Sequence, residues 1–178
     1  PNLEGRSGII AHDPSLAGRI ISAVCSESIV PVWAKLSANT DRVVEISTTV
    51  RDAGASAITL INTMLGMQIN TSSGRPSLGN GGGGLSGPAI RPVAVRAIYQ
   101  VHAALPHVPI LGMGGVSNGR DALELILAGA SGVSVGTASF GNPTALIQIR
   151  DELQTLLAAR GFATLSQAVG YAHREESV

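Results

Sequence analysis

Two short apolar runs that end in glycine constrain this chain more than any other feature. They are Val108-Pro-Ile-Leu-Gly-Met-Gly-Gly-Val116 and, further along, Gly132-Val-Ser-Val-Gly-Thr137. Each has the length and apolar character of a buried strand, and each ends where a helix is expected to begin. Bare backbone amides at such a junction suit a phosphate group. The pair therefore predicts an α/β fold whose strand ends bind a phosphorylated ligand.

Segments typical of helices and of strands alternate along the rest of the chain. The pattern predicts helices over 14–28, 41–53, 90–104, 119–128 and 143–159, with a short helical tail from Leu165. It predicts strands over 30–34, 56–61, 108–111 and 132–135. We expect Asp13 to cap the first helix, and Gly54 and Gly129 to end the second and the fourth. The polar, glycine-rich segment 66–84 interrupts the alternation and is expected to be an insertion, a lid or a hairpin.

Strands that are apolar throughout indicate a parallel sheet covered by helices. Two architectures satisfy this pattern, a doubly wound sheet and a (β/α)₈ TIM barrel. A complete barrel takes about 250 residues, whereas this chain has 178 residues. If the fold is a barrel, we expect the chain to supply about four β/α units, the C-terminal half. Residues 1–178 would then be one partial domain.

The charge balance argues against nucleic acid or a membrane surface as a partner. The chain has 12 Lys and Arg against 12 Asp and Glu, and its apolar runs are too short to cross a bilayer. Hydrophobic residues make up 44% of the chain, which is enough to form a buried core. Cys25 is the single cysteine, so this chain alone cannot build a disulfide framework or a cysteine-ligated metal centre. We expect a cytoplasmic protein without a metal site.

Polar side chains follow the first two predicted strands. Lys35 ends the first strand, where a lysine can hold a phosphate, form a Schiff base or place a positive charge beside a ring that becomes anionic. Asn62 and Thr63 follow the second strand, where an amide and a hydroxyl can hydrogen-bond a planar polar ligand. The plainer alternatives are a solvated lysine and an ordinary turn.

Glycine runs elsewhere have less specific interpretations. The run 81–88 is either a flexible linker or an anion site, and its Ser-Gly-Pro ending, which is typical of a helix start, favours the anion site. Gly112-Met-Gly-Gly115 lacks the acidic residue that a dinucleotide site needs after its next strand, so we do not expect this chain to bind NAD.

The remaining chemically distinctive side chains have packing roles as their simplest interpretation. The histidines, at positions 12, 102, 107 and 173, are spaced neither for metal ligation nor for pairing with a nucleophile. Cys25 falls in the apolar stripe of the first helix and is expected to be buried. Met64, Met67 and Met113 flank the predicted ligand loops, where they either pack on a flat ring or belong to the core.

Five motifs occur in one order along nearly the whole chain. They are Lys35-Leu-Ser37, Ile61-Asn-Thr63, Gly84-Leu-Ser-Gly-Pro-Ala-Ile90, Gly112-Met-Gly-Gly-Val116 and Val135-Gly-Thr137. This set resembles the dihydroorotate dehydrogenases, and most closely their class 1B, NAD-linked catalytic subunits. The resemblance implies an FMN enzyme on a (β/α)₈ barrel that oxidises (S)-dihydroorotate to orotate in de novo pyrimidine biosynthesis.

The resemblance also implies roles for individual residues. Lys35 would lie near the pyrimidine edge of the flavin and stabilise negative charge there. Ile61 would pack on the flavin, and Asn62 and Thr63 would bind the ring or carboxylate of the substrate. Backbone amides and one hydroxyl would hold the ribityl chain and phosphate of FMN, from Gly87, Gly114, Gly115, Gly136 and Thr137.

By the same resemblance, the catalytic base is expected to lie outside this chain. In this family a Ser-Cys-Pro-Asn sequence carries a cysteine base, and the chain opens at Pro1-Asn2, directly after that cysteine. Asn2 would match the substrate-binding asparagine, and Cys25 cannot replace the base because it lies within a helix pattern. We therefore expect this piece to be inactive alone, and segment 68–84 to cover the substrate in the complete enzyme.

The electron acceptor and the partner have more than one interpretation. Class 1B enzymes usually work with a subunit that carries FAD and a 2Fe–2S cluster and passes electrons to NAD, and the complete protein is expected to be a homo-oligomer. Class 1A relatives use fumarate and class 2 relatives use quinone, but the Ile-Asn-Thr and Gly-Leu-Ser-Gly-Pro-Ala-Ile strings favour class 1B.

Two other functions stay open. One is a dihydropyrimidine dehydrogenase-like FMN domain, and the other is a non-catalytic module that binds a phosphorylated ligand. The presence of Lys35, Asn62 and Thr63 argues against the second, because a pure phosphate binder needs none of them.

Overall fold

The computed structural model describes residues 10–174, in which helices and strands alternate. The α-helices are α1 (Pro14–Glu27), α2 (Val43–Asp52), α3 (Arg91–Ala104), α4 (Gly119–Ala128), α5 (Ala138–Gly141), α6 (Ala145–Ala159) and α7 (Leu165–Ala168). The strands are β1 (Trp33–Lys35), β2 (Ala57–Leu60), β3 (Met64–Met67), β4 (Ile69–Asn70), β5 (Arg75–Pro76), β6 (Gly82–Leu85), β7 (Ile110–Met113) and β8 (Gly132–Ser134). Short 3₁₀ helices lie at Ile10–His12, Pro88–Ile90 and Tyr171–His173.

Four strands form one parallel sheet in the order β1-β2-β7-β8. Their register aligns Lys35 with Thr59, Thr59 with Leu111, and Leu111 with Gly132. A doubly wound sheet would reverse its strand order at one point and cover both faces with helices. The four described strands show no such reversal, and successive right-handed crossovers set their helices on the same side of the sheet.

The helices form a layer against one face of this sheet. In this layer α1 contacts α2, α2 contacts α3, α3 contacts α4, and α4 contacts α6. Fully buried side chains fill the space between helices and sheet, including Ile58, Ile98, Ile110 and Leu125. Gly112 lets the layers approach closely, since a Cβ at that position would lie 3.1 Å from Ile98 Cδ1 of α3 and 3.1 Å from Leu125 Cδ2 of α4.

The helix predictions are confirmed in most respects. The Asp13 carboxylate caps α1 by accepting a hydrogen bond from the Leu16 amide at 3.1 Å. α4 has the predicted bounds, with Gly129 as its C-cap. The residue that caps the end of α2 is Ala53 rather than Gly54, which follows it with φ of 108°.

The helix predicted over 143–159 was wrong at its start, because the observed helix, α6, begins at Ala145. A separate short helix, α5, precedes it and was not predicted. Asn142 separates the two helices in an extended conformation, with φ of −141°. A proline disfavours helical geometry at the residue before it, and Pro143 follows Asn142. The first predicted strand is also shorter than expected, beginning at Trp33 instead of Val30.

Segment 66–84 belongs to a β-hairpin in two tiers. β3 pairs antiparallel with β6 at its base, and β4 pairs antiparallel with β5 beyond them. Glycines in β6 leave room for neighbouring side chains, since a Cβ on Gly83 would lie 2.6 Å from Leu78 Cδ1. Of the expected alternatives, the hairpin is the observed one. The linker interpretation of 81–88 was wrong because Gly82, Gly83 and Gly84 pair with β3 in a strand.

Cys25 is partly exposed, so its predicted burial was wrong. α1 is the first helix of the layer and contacts α2 along one side. The thiol of Cys25 faces Gly54, at which a Cβ would lie 3.2 Å from Cys25 Sγ.

Within residues 10–174, no helix is both long and apolar enough to cross a membrane. No group of three His, Cys, Asp or Glu side chains in this range is placed to hold a metal ion.

Two histidines pack together on the outer side of the helical layer, as the packing interpretation predicted for them. The His173 ring stacks on Tyr99 with centroids 3.8 Å apart, and it lies 4.9 Å from the His102 ring. His173 Nε2 is also 3.0 Å from the Ala128 carbonyl oxygen. Burial lowers the pKa of His102, and the charge of His173 lowers it further.

Candidate functional site

A cavity of about 230 Å³ lies at the carboxyl ends of the parallel strands. It is lined by every described residue that the sequence singled out for the site, namely Lys35, Ile61, Asn62, Thr63, Gly87, Gly114, Gly115, Gly136 and Thr137. Parallel strands bring their carboxyl ends to one edge of the sheet, so residues far apart in the chain meet there. Asn2 lies outside the described residues. The geometry brings these residues together, while their binding roles stay predictions.

The strand order gives the cavity two chemically different ends. Lys35 ends β1, and Gly136 and Thr137 follow β8, which lies three strands away. At a usual strand spacing of ~4.8 Å, the two ends are about 14 Å apart along the sheet. Lys35 is the one charged side chain among the described residues that line the cavity. The cavity therefore suits an elongated ligand, with a cation at one end and backbone amides and hydroxyls at the other.

Asn39 holds the backbone beside the Lys35 end. Its side-chain nitrogen donates to the Thr63 carbonyl oxygen at 2.9 Å and to Ser37 Oγ at 2.9 Å. Its side-chain oxygen accepts from the Leu65 amide at 2.8 Å. Asn39 thus joins the loop after β1 to the loop after β2 and to the base of the hairpin. The sequence analysis missed this residue, because Thr63 and Leu65 lie more than twenty positions away in the chain.

Gly114 and Gly115 form the loop after β7 with φ angles of 123° and 73°, which favour glycine. A Cβ on Gly115 would lie 2.8 Å from the backbone nitrogen of Arg91, and one on Gly114 would lie 3.0 Å from the Cβ of Ala94. Packing against α3 therefore requires both glycines. This close packing leaves the loop backbone on the cavity wall.

Gly136 is different, because the folded chain itself does not require a glycine there. No described atom lies within 4 Å of the position that its Cβ would occupy, and its φ angle is not in the left-handed range. Gly136 also lines the cavity. A bare backbone facing open space suits the close approach of a ligand, which would account for a glycine at this position.

An ion pair fixes the Gly114-Gly115 loop from behind. Arg91 Nη1 lies 2.6 Å from Asp121 Oδ1, and Arg91 Nε lies 2.9 Å from Glu124 Oε2. Asp121 is 5% exposed, and its other oxygen accepts from both the amide and the hydroxyl of Ser117 at 2.9 Å. The sequence analysis missed this network, whose only local sign was an acidic residue in the first turn of α4.

The amino terminus of α4 is already occupied by side chains. Asn118 Oδ1 accepts from the amides of Arg120 and Asp121 at 2.9 and 3.0 Å, and Glu152 of α6 accepts from the Gly119 amide at 2.6 Å. These contacts satisfy the free amides of the first turn. Amides for an anion are therefore available in the loops after β7 and β8 rather than at the start of α4.

The methionines have separate environments. Met113 lines the cavity, so it is placed to pack on a ligand. Met64 packs against the core, and Met67 is 64% exposed on the hairpin. The ring-packing interpretation therefore fits Met113 alone of the three.

The fold and the site define an α/β protein whose parallel strands end at a cavity, with a lysine at one end and glycine-rich loops at the other. Comparison with known proteins is more specific. The sequence model of the dihydroorotate dehydrogenase family matches residues 1–157, and the chain belongs to that family.

Curated relatives carry the name that the resemblance predicted. The chain is 44% identical over 178 residues to the dihydroorotate dehydrogenase B (NAD(+)), catalytic subunit, of Bacillus pumilus (strain SAFR-032), covering 100% of this chain and 57% of the relative. The protein of the same name from Desulforamulus reducens is 44% identical over 173 residues, covering 97% of this chain and 57% of the relative. The one from Desulforudis audaxviator is 43% identical over 174 residues, covering 98% and 56%. The chain thus spans a little over half the length of these relatives.

Proposed function

We propose that this chain is the C-terminal half of an FMN-binding (β/α)₈ barrel that oxidises (S)-dihydroorotate to orotate in cytoplasmic pyrimidine biosynthesis. The observation that carries the proposal is the convergence of residues from five separate motifs on one cavity. The sequential order of the parallel strands supports the barrel, and family membership supports the reaction. Residues 1–178 would form one partial domain of about four β/α units.

The cavity residues fit the chemistry of FMN, which joins a planar ring to a phosphate through a ribityl chain. The open backbone at Gly136 leaves room for phosphate oxygens, and the loop at Gly114 and Gly115 presents backbone along the wall. Gly87 and Thr137 border the same end, and Lys35 lies at the other. When bound, FMN would supply the hydride-accepting chemistry of the reaction.

At the ring end, the chain's own residues would bind and orient. The Lys35 ammonium would stabilise negative charge that develops on the ring, because a cation held in the cavity is already in position before that charge forms. Ile61, which is buried, would pack against the ring. Asn62 and Thr63 would hydrogen-bond the ring or carboxylate of the substrate, and Asn39 holds their backbone in place.

Proton removal from the substrate requires a base that this chain is not proposed to supply. Cys25 lies in α1, on the helical side of the sheet, and does not line the cavity. We propose that a cysteine directly before Pro1 is the base in the complete protein, that Asn2 binds substrate beside it, and that the piece alone is inactive.

The electron acceptor we propose is NAD, reached through a partner subunit that carries FAD and a 2Fe–2S cluster. The printed names of the relatives, which specify NAD(+) and a catalytic subunit, support this choice over fumarate or quinone. We propose that the complete protein is a homo-oligomer.

Flavin titration tests the proposal. FMN fluorescence should be quenched at a single site on the purified chain. Replacement Lys35→Met should preserve binding and lower the midpoint potential of bound FMN by on the order of 30 mV, equivalent to about 1.4 kcal/mol for two electrons.

Dihydroorotate should leave the FMN of this chain oxidised and should reduce it in a protein extended upstream of Pro1. Failure of the chain to bind FMN would contradict the proposal that FMN is its cofactor. An extended protein that binds FMN but is not reduced by dihydroorotate would favour the non-catalytic phosphate-binding module.

A further inference from the structure

The position of Thr63 on the cavity wall depends on contacts from distant segments. Its one hydrogen bond to another side chain within the described residues uses the Thr63 carbonyl oxygen, which leaves the Thr63 hydroxyl free for a ligand. A hydroxyl binds a ligand well only when the loop that carries it is held in one place, because a misplaced donor loses its hydrogen bond. The structure holds Thr63 by two contacts, one to its backbone and one to its side chain.

Asn39 fixes the backbone of Thr63. Its Nδ2 donates to the Thr63 carbonyl oxygen and to Ser37 Oγ, and its Oδ1 accepts from the Leu65 amide. A carbonyl oxygen can only accept and a backbone amide can only donate, so the two ends of the Asn39 side chain cannot be exchanged. Both Nδ2 hydrogens are used within the protein, and Asn39 is not among the residues that line the cavity. Asn39 therefore acts on a ligand only through the segment that it holds.

Gly84 of β6 makes room for the Thr63 side chain. The hairpin register pairs Gly84 with Leu65, which brings β6 against the end of the loop after β2. A Cβ on Gly84 would lie 2.8 Å from Thr63 Cβ and closer still to Thr63 Oγ1, so either the threonine or the strand would have to move. The φ angle of Gly84 is not in the left-handed range, so backbone conformation does not require a glycine there. The space taken by Thr63 does.

We propose that Asn39 and Gly84 are positioning residues for the substrate, Asn39 through the backbone of Thr63 and Gly84 through its side chain. This inference rests on the proposed function, in which the ligand beside Thr63 is dihydroorotate or orotate. It makes the base of the hairpin part of the substrate pocket, although neither residue lines the cavity. The effect should be confined to substrate binding, because the phosphate of FMN would lie at the opposite end of the cavity.

Orotate titration of the FMN-loaded protein, extended upstream of Pro1, tests the proposal. Orotate bound beside the flavin is followed by the change in flavin absorption, and FMN affinity is measured separately by fluorescence. We expect Asn39→Ala and Gly84→Ala each to weaken orotate binding about tenfold, as for one hydrogen bond lost through misplacement, and to leave FMN affinity unchanged. If Asn39→Ala does not fold, Gly84→Ala decides the outcome alone.

Two matched controls should change neither affinity. Asn142→Ala removes an asparagine that also bonds to nearby backbone, accepting from the Thr144 amide at 3.1 Å, but lies outside the cavity lining. Gly66→Ala adds a methyl group to β3 of the same hairpin, where the nearest atom outside its own segment would be Leu85 Cβ at 3.4 Å. That distance is an ordinary van der Waals contact, so Thr63 should stay in place.

A double substitution tests whether Gly84 acts through Thr63. Thr63→Ala alone should weaken orotate binding, because it removes the hydroxyl. Adding Gly84→Ala to Thr63→Ala should cause little further loss, because the added methyl group no longer displaces a hydroxyl. Two independent effects would multiply instead.

Three results would overturn the inference while leaving FMN binding intact. The first is orotate binding in Asn39→Ala and Gly84→Ala that is as tight as in the controls. The second is an equal loss of FMN and orotate binding, which indicates a general disturbance of the fold. The third is a multiplied effect in the double variant, which means that Gly84 does not act through Thr63. If the unsubstituted extended protein does not bind FMN, or its FMN is not reduced by dihydroorotate, the proposed function fails, and this inference fails with it.

Discussion

Glycines at the carboxyl ends of the strands serve two different purposes in this molecule. Gly115 is required by the fold, since its φ angle is 73° and a Cβ would lie 2.8 Å from the Arg91 backbone nitrogen. Gly136 borders open space in the cavity and has no such constraint in the described structure. Substitution can therefore separate what folding needs from what ligand binding needs.

We expect Gly115→Ala to lower the free energy of unfolding by about 1–3 kcal/mol, from backbone strain and overpacking. Gly136→Ala should change the free energy of unfolding by less than about 0.5 kcal/mol, yet weaken FMN binding about tenfold because the methyl group enters the ligand space. Urea unfolding and FMN titration measure the two effects. Gly141→Ala is the control, since Gly141 also borders open space but lies outside the cavity lining. Equal FMN affinities in Gly136→Ala and Gly141→Ala would contradict the proposed position of the ligand.

The helices behind the cavity depend on a small number of polar contacts between elements. Asp121 in α4 joins Arg91 at the start of α3 to Ser117 in the loop after β7. A buried carboxylate with three such contacts leaves several groups without partners when it is removed.

We predict that Asp121→Ala lowers the free energy of unfolding by about 2–4 kcal/mol, because Arg91 loses its buried partner and the Ser117 amide loses its acceptor. Asp151→Ala removes an exposed ion pair with Arg150 on α6 and should cost about 0–1 kcal/mol. Chemical unfolding of both variants provides the comparison. A similar cost for the two would mean that the Arg91 network contributes no more than a surface ion pair.

The junction between α3 and the segment around His173 should respond to pH. Burial lowers the pKa of His102 in the folded chain, and the charge of the nearby His173 lowers it further. His102 Nδ1 is buried and has no hydrogen-bond partner among the described residues. The unfolded chain, with a histidine pKa of about 6.5, then binds protons more readily than the folded chain. This contribution to stability is complete above about pH 6.5 and is lost as the pH falls through that value toward the folded pKa.

The free energy of unfolding should therefore fall between about pH 7.5 and 5.5, and less steeply in His102→Gln than in the unsubstituted chain. Denaturant unfolding across this range measures the slope. His107→Gln serves as the control, since His107 is exposed. If His102→Gln keeps the full slope of the control, the pH dependence arises from other groups.

At the scale of the whole molecule, the parallel sheet has two open edges. Neither β1 nor β8 has a second strand partner among the described residues. Large apolar side chains are exposed near both edges, with Trp33 57% exposed in β1 and Phe140 88% exposed after β8. Unpaired strand edges and exposed apolar side chains both favour association with another chain.

We predict that the isolated chain self-associates as its concentration rises. Trp33 is the only tryptophan, so its emission should shift to shorter wavelength as the β1 edge becomes covered. Phe140→Ser should weaken the association measured by sedimentation equilibrium, whereas Met67→Gln, which changes an exposed apolar residue on the hairpin, should not. A monomer at every concentration, with unchanged tryptophan emission, would contradict this prediction.

The amino-acid sequence by itself determined the alternation of helices and strands, the caps of α1 and α4, and which polar residues stand at strand ends. These features follow from local periodicity and local capping, which a short segment contains in full. The same logic predicted that Lys35, Asn62, Thr63 and the glycine-rich loops lie at one edge of the sheet, because parallel strands end on one side, whereas the place of Ile61 was implied by the family resemblance.

Only the tertiary structure decided how distant segments meet. It decided that 66–84 pairs as a hairpin, that Glu152 occupies the start of α4, that Asn39 holds the loop after β2, and that Thr137 reaches Ser86. Each of these contacts joins residues separated by many positions. No local pattern specifies such contacts, since they form only when packing of the helices on the sheet brings the segments together.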